Sequence, residues 1–291
     1  EEYVSDCVIL LDTRIHNEVA TRRLRVVKYR GTSHGANEYP FLIESTGVQV
    51  LPVTSVGLAH AATNVRVSSG VAGLDAMLGG RDAQRGFFRG ASVLISGGPG
   101  TGKTSIAAQF AVAACKRRER CLYFAFEESE SQIVRNMRST GLDLTPYVAD
   151  KRLIFHAARP TLLGLEMHLA SMMHQVEVMK PEVVVVDPLS ALMTCGTLVQ
   201  SRMMVLRLID YVKSFGATAL YLAVRNGQQD DDLDVSSLMD TWIVLENERK
   251  AGELERSLHV VKSRGMPHSA EIRRFLISEA GIEVQPGREA T

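Results

Sequence analysis

The 291-residue chain lacks net charge, aromatic weight, a cysteine framework and any long hydrophobic run. Each absence removes a class of function. The 33 Lys and Arg are balanced by 33 Asp and Glu, so there is no bulk attraction toward nucleic acid or an anionic membrane, and any phosphate binding has to be local. Aromatic residues make up only 6% and Trp occurs once, leaving little surface on which to stack unpaired bases. Cys7, Cys115, Cys121 and Cys195 form no C-x-x-C pair, which argues against a disulfide framework or a zinc site and for packed thiols in a reducing compartment. No apolar stretch approaches the roughly 20 residues of a spanning helix, and no secretory signal pattern is visible; a cytoplasmic location without membrane attachment is expected. His156, His168 and His174 show no ligand spacing. What remains is 45% hydrophobic residues in 31.9 kDa at a mean hydropathy of +0.01, enough to build one large α/β domain or two unequal pieces.

Compared with itself, the sequence repeats once, without a gap, at an offset of 234 residues. Asp6, Ile9 and Leu11 fall on Asp240, Ile243 and Leu245; Arg22, Leu24, Val26, Val27, Lys28, Arg30, Gly31 and His34 fall on Arg256, Leu258, Val260, Val261, Lys262, Arg264, Gly265 and His268. Between Asp6 and Pro52, 18 of 47 positions are identical, where unrelated stretches of ordinary composition give about three. The simplest expectation is that residues 1–52 are the C-terminal tail of a preceding domain and 53–65 a linker. Residues 66–291 are then a complete second domain. Short apolar runs in both copies, such as Leu24 to Val27 and Leu258 to Val261, predict strands of an antiparallel β appendage.

From Ala91 the pattern changes. Apolar runs rich in β-formers (Ser92 to Ser96, Leu122 to Phe126, Leu153 to Phe155, Val183 to Val186, Ala217 to Val224) alternate with helical segments (Lys103 to Cys115, Glu130 to Met137, Leu163 to Met179, Arg202 to Ser214). This is the signature of βαβ units on a mostly parallel sheet covered on both faces. Met167, Met172, Met173 and Met179 on one helix are expected in a core or at a subunit interface.

Gly97-Gly98-Pro99-Gly100-Thr101-Gly102-Lys103-Thr104 fits G-x-x-x-x-G-K-[ST] between a predicted strand and a predicted helix, the context of a P-loop. Backbone N–H groups of Gly98, Gly100, Thr101, Gly102 and Ser105 would turn toward a triphosphate. Lys103 would reach its β and γ phosphates, and Thr104 would offer a hydroxyl to Mg2+ at the positive helix end. Asp187, closing the run Val183 to Val186, has the Walker-B position of a residue that supports the metal; the plainer reading is a cap on the turn at Pro188. Glu127 and Glu128 end the neighbouring strand, and one of them is a candidate general base; the plainer reading is an acidic cluster complementing the dipole of the helix that starts near Ser129.

These motifs, together with Ser69-Gly70-Val71-Ala72-Gly73-Leu74-Asp75, the stretch from Phe126 to Gln132, and Val261-Lys262-Ser263-Arg264-Gly265, resemble the KaiC family of circadian-clock ATPases in the RecA superfamily. The likeness covers essentially the whole chain. It implies an ATP- and Mg2+-dependent homo-hexamer with nucleotide at subunit interfaces, whose second domain phosphorylates and dephosphorylates itself. It further implies that Glu127 and Glu128 are the catalytic glutamate pair, Glu128 being favoured as the base toward a hydroxyl acceptor, that Lys103 serves catalysis, that Thr104, Asp187 and Glu128 serve the metal, and that Lys262 and Arg264 reach the neighbouring subunit's nucleotide. Two cations at i and i+2 on a strand share a face, as such a clamp requires, although an edge strand carrying protective charge has the same pattern. Lys28 and Arg30 are their copies in the repeat. Arg202 aligns with a further interface arginine. The phosphorylation sites align with Ser236 and Ser237, where better-known members carry Ser-Thr; they also have Thr in place of Asp231. A KaiB-like partner would be met through the preceding domain, whereas KaiA binding finds no support.

Two rivals use the same motif. A RecA-like recombinase or ring helicase needs a basic channel with stacking aromatics, and the one basic run, Lys116-Arg117-Arg118, sits where a helix C-terminus already favours cations. A non-hydrolysing scaffold that uses ATP as glue would not need Glu127 or Glu128.

Overall fold

The computed structural model describes residues 4–16, 19–44, 47–50, 62–79, 85–225, 235–250 and 252–287. The chain first forms β1 (Cys7–His16), β2 (Val19–Tyr29), β3 (Tyr39–Glu44) and β4 (Gly47–Val50), an antiparallel sheet in that spatial order. After the stretch 62–65, which has no regular structure, come β5 (Arg66–Val67), α1 (Ala72–Met77) and β6 (Phe87–Phe88). Residues 53–61, most of the expected linker, lie outside the described residues, as do the last two of the expected tail, 51 and 52.

The alternation that follows is β7 (Ser92–Gly97), α2 (Lys103–Lys116), β8 (Cys121–Ala125), α3 (Glu130–Arg138), α4 (Thr145–Ala149), β9 (Leu153–Ala157), α5 (Leu165–Met179), β10 (Val183–Asp187), α6 (Leu189–Met193), α7 (Leu198–Ser214) and β11 (Thr218–Val224). The chain ends on β12 (Thr241–Lys250), β13 (Glu253–Ser263), β14 (Arg273–Ser278) and β15 (Gly281–Val284). The nine-stranded sheet has the order β15-β14-β13-β12-β7-β11-β10-β8-β9. It is mostly parallel, with antiparallel strands at one end, as expected; β12, expected in the antiparallel appendage, pairs antiparallel with β13 but parallel with β7 and so belongs to both parts.

Its central strands read as unbroken apolar runs because both faces are covered. Alternate residues enter two cores: Val93, Ile95, Tyr123, Val183, Val185, Leu220 and Leu222 join α1 and α2 on one side. Leu94, Leu122, Phe124, Val184, Val186 and Tyr221 join α5 and α7 on the other. Met167, Met172 and Met173 are buried in this second core. Cys115 and Cys121 are packed thiols, and burial pushes the Cys115 thiol up to about 11. Cys7 departs from the expectation; it is exposed, on an edge strand with nothing covering it among the described residues. Among the described residues no helix is long and apolar enough to cross a membrane.

The internal repeat is structural. Cys7 corresponds to Thr241 and Val50 to Val284, so all four strands recur at the 234-residue offset. The same irregularity in pairing recurs with them, between Val8 and Ile9 in one copy and Trp242 and Ile243 in the other. The copies differ in their neighbours. β12 also pairs with β7, whereas β1 has only β2 beside it among the described residues. Consequently Ile243 and Leu245 are 0% and 1% exposed, while Ile9 and Leu11 are 53% and 58% exposed. β3 of the first copy lies against α5.

Candidate active site

β7 lies where the sheet's connections diverge, and the carboxyl ends of β7, β8 and β10 converge on one crevice, the place where open α/β sheets bind ligands. The loop from Gly98 to Gly102 leaves β7 there. Gly100 and Gly102 take φ of +73° and +98°, which a side chain would strain. Gly102 is the N-cap of α2 and supplies no side-chain cap, so the first N–H groups of that helix face the crevice as an anion site requires. Thr101 turns its hydroxyl inward to donate to the Gly98 carbonyl at 2.9 Å, and Ser105, in the first turn of α2, is buried. The Lys103 ammonium is buried and donates to the carbonyls of Gly97 and Gly98, each at 2.8 Å. Burial lowers its pKa, opposed by the charges of Asp187 and Glu127.

Asp187, at the end of β10, stands beside Lys103 and Thr104. Burial raises its carboxyl above the ordinary range, opposed by hydrogen bonds from the Tyr123 hydroxyl, at 2.6 Å, and from Thr104. It is therefore held in the crevice by three elements rather than capping the turn at Pro188. Among the described residues no group of three or more His, Cys, Asp or Glu side chains could hold a metal by itself. A hydroxyl and one carboxylate fit Mg2+, which is usually bound through one or two carboxylates together with substrate phosphates and water.

Glu127 and Glu128 follow β8 on the exposed rim of the same crevice. The cap of α3 is a Ser129–Gln132 capping box, so the helix start does not need either acid. Asn136, nearly two turns into α3, donates Nδ2 to Glu128 Oε2 at 2.9 Å, and its Oδ1 accepts from the Arg135 guanidinium at 3.1 and 3.3 Å. Arg159 donates to the Glu127 carbonyl at 3.2 Å. Neither contact is visible in sequence spacing, since both depend on how α3 and the segment after β9 fold back.

The remaining expected site residues gather elsewhere. Asp240 binds the first residue of β7: the Ser92 N–H and hydroxyl donate to Asp240 Oδ2 at 2.8 and 2.9 Å, and Lys213 Nζ lies 2.7 Å from the same oxygen. Ser236 and Ser237 lie in the single turn of 3-10 helix just before, Ser237 exposed. Arg264, one residue beyond β13, donates to the Ser237 carbonyl at 2.6 Å. Lys262, opposite Trp242, has its pKa lowered by burial and by Arg264. Arg89, Lys213, Asp240 and Arg264 line a cleft of about 630 Å3 here. Serines and cations thus share one patch at the start of β7, a full strand away from the glycine-rich loop at its end. Arg202 belongs to neither group; it lies in the first turns of α7, and Asp231 falls outside the described residues. Lys213 and Asp240 were missed by sequence reasoning, although the recurrence of Asp240 as Asp6 in the other copy was a signal.

The family description "ATPase: KaiC" matches residues 1–55 and 67–289. The chain is 50% identical over 289 residues to "Circadian clock protein KaiC2" of Synechocystis sp., covering 98% of this chain and 50% of the relative. It is 36% identical over 289 residues to "Circadian clock oscillator protein KaiC" of Synechococcus elongatus, covering 98% and 55%. With "Circadian clock protein KaiC3" of Synechocystis sp. identity is 33% over 297 residues, covering 100% and 58%. The chain spans about half the length of the curated relatives it matches. A loop-to-helix anion cradle at the carboxyl end of a parallel sheet, matched along nearly its whole length, makes this chain a member of the KaiC family of ATPases.

Proposed function

We propose that the chain is the ATP-hydrolysing, self-phosphorylating part of a KaiC-type timing protein that works as a homo-hexamer, with phosphoryl transfer between neighbouring subunits. One observation carries this reading. Lys103 and Thr104 follow the last residue of β7, whereas Ser236, Ser237, Lys262 and Arg264 gather beside its first residue, Ser92. Six residues of strand span about 20 Å at roughly 3.3 Å per residue, so a serine cannot meet the phosphates held by its own protomer while the sheet stays intact. A ring in which each start-of-β7 patch faces the next subunit's crevice resolves the separation.

In this arrangement Lys103, the N–H groups of Gly98 to Ser105 and the neighbour's Lys262 and Arg264 counter the triphosphate charge. Mg2+ bound beside Thr104 and Asp187 would neutralise charge on the β and γ oxygens. Glu128 accepts the proton of the serine hydroxyl as its Oγ forms a bond to the γ-phosphorus; the bond from that phosphorus to the bridging oxygen breaks and ADP leaves. With water in place of serine, the same groups hydrolyse ATP. Residues 1–52 read as the end of a preceding RecA-like domain, because β1 offers Ile9 and Leu11 at the edge where β12 offers Ile243 and Leu245 to β7. A circadian role and a KaiB-like partner reached through that domain rest on the relatives' names and the family.

Mixing two variants tests transfer between subunits. Lys103→Ala keeps its serines; Ser236→Ala/Ser237→Ala keeps its P-loop. After incubation of the mixture with Mg-ATP, mass spectrometry should find phosphate on Ser236 or Ser237 of the Lys103→Ala subunits. A mixture without phosphate, beside a wild-type protein that carries it, refutes the trans arrangement.

A further inference from the structure

Tyr123 is wholly buried in the middle of β8, yet its hydroxyl emerges from the core to donate to Asp187 Oδ2 at 2.6 Å. The strand register explains the reach. Tyr123 pairs with Val185, two residues before Asp187, and points to the same face as α2, so its ring runs along the sheet surface toward the crevice. Phe155 packs on the ring at a centroid separation of 4.9 Å and fixes its direction. A buried phenol needs a partner, and here the partner is the one carboxylate that faces both Thr104 and Lys103.

We propose that Tyr123 is the positioning residue of the metal site. Its hydroxyl occupies one oxygen of Asp187, so that the carboxylate is orientated before metal arrives and its remaining lone pairs would be left for the metal. Such outer partners set ligand orientation, and their loss typically costs 10–100-fold in metal affinity. This rests on the ATPase reading above, and it goes beyond it by assigning metal affinity to a residue outside every nucleotide-binding motif. Tyr123 touches neither nucleotide nor serine in this scheme.

The test uses the full chain with ATP and Mn2+ as the paramagnetic probe, free Mn2+ being read by electron paramagnetic resonance. Tyr123→Phe removes one oxygen and leaves the ring. It should weaken Mn2+ binding to the protein–ATP complex by about tenfold, while ATP affinity measured in chelator stays at the wild-type value. Asp187→Asn should weaken Mn2+ binding as well, and Tyr123→Phe added to it should do nothing more, because the hydroxyl acts through that carboxylate. Tyr123→Leu is the alternative should Phe not fold. Wild-type Mn2+ affinity in the Phe variant, even with a lowered unfolding temperature, overturns the proposal; so does a further loss in the Asp187→Asn background. Absence of nucleotide-dependent Mn2+ binding in the wild type would instead overturn the ATPase reading.

Discussion

The Arg264 guanidinium donates to the main-chain carbonyl of Ser237 at 2.6 Å, tying a cation expected at a neighbour's phosphates to the loop expected to receive one. Arg264 is itself fixed by its N–H, which donates to the Asp240 carbonyl at 2.8 Å, and the Asp240 carboxylate is fixed by Ser92 and Lys213. One side chain therefore links the proposed acceptor loop to the proposed clamp.

Arg264→Lys should show this coupling. Lysine keeps the charge but loses the planar fork that lets arginine hold a carbonyl and a phosphate together. Phosphate incorporation at Ser236 and Ser237 should fall by about tenfold, the loss of one charge-assisted hydrogen bond of roughly 1.5 kcal/mol, while ATP binding declines less. Wild-type incorporation in quantitative mass spectrometry would show that the contact with Ser237 is incidental.

Asn136→Ala should lower kcat for ATP hydrolysis by about tenfold with KM little changed. Asn136 holds Glu128 at 2.9 Å and is itself orientated by Arg135, so its removal leaves the carboxylate free to swing without touching the phosphate cradle. Steady-state kinetics decide it. A rise in KM at constant kcat would mean that Asn136 serves binding.

How far the molecule was legible follows from how local each signal is. The run Val183 to Val186 declares a strand covered on both faces, and the glycine spacing from Gly97 to Gly102 declares a phosphate loop, because each property is carried by consecutive residues. The repeat was legible for the same reason. Strand lengths were not: β1 and β2 continue through Thr13, Arg14, Arg22 and Arg23, polar residues held by their ladder with each other rather than by burial. β15 is only four residues long, Gly281 to Val284, too short for any periodicity. Tyr123 reads as one more apolar strand residue until the register brings it to Asp187. Likewise, which end of the sheet receives Ser237 depends on β12 lying parallel to β7, a pairing that no local pattern announces.

Asp240→Asn should make stability less sensitive to acid. Burial raises the Asp240 carboxyl, but Lys213 and Ser92 outweigh it and hold the pKa below its ordinary 3.8. A carboxyl lowered on folding stabilises the native state above the ordinary value, and this contribution is lost as pH falls through and below 3.8. Urea unfolding at neutral pH should find the variant less stable by roughly 1–3 kcal/mol, with the gap closing below the ordinary aspartate range. A gap that stays constant into acid would remove the ionised carboxylate from the explanation.

The repeat supplies its own control, since one substitution can be made at two related positions with different surroundings. Ile243 is wholly buried between β7 and β13, and Ile243→Ala leaves a hole in a core that cannot close, costing about 2–5 kcal/mol. Ile9 holds the same place in β1 but is 53% exposed, and Ile9→Ala should stay within about 0.5 kcal/mol in this chain. Denaturant unfolding of the two variants side by side measures the difference. If residues 1–52 close a preceding RecA-like domain, Ile9→Ala introduced together with that domain should become nearly as costly as Ile243→Ala, because Ile9 would then be covered by a strand equivalent to β7. A cost that stays near zero in the longer protein would leave β1 a true edge and would sink that assignment.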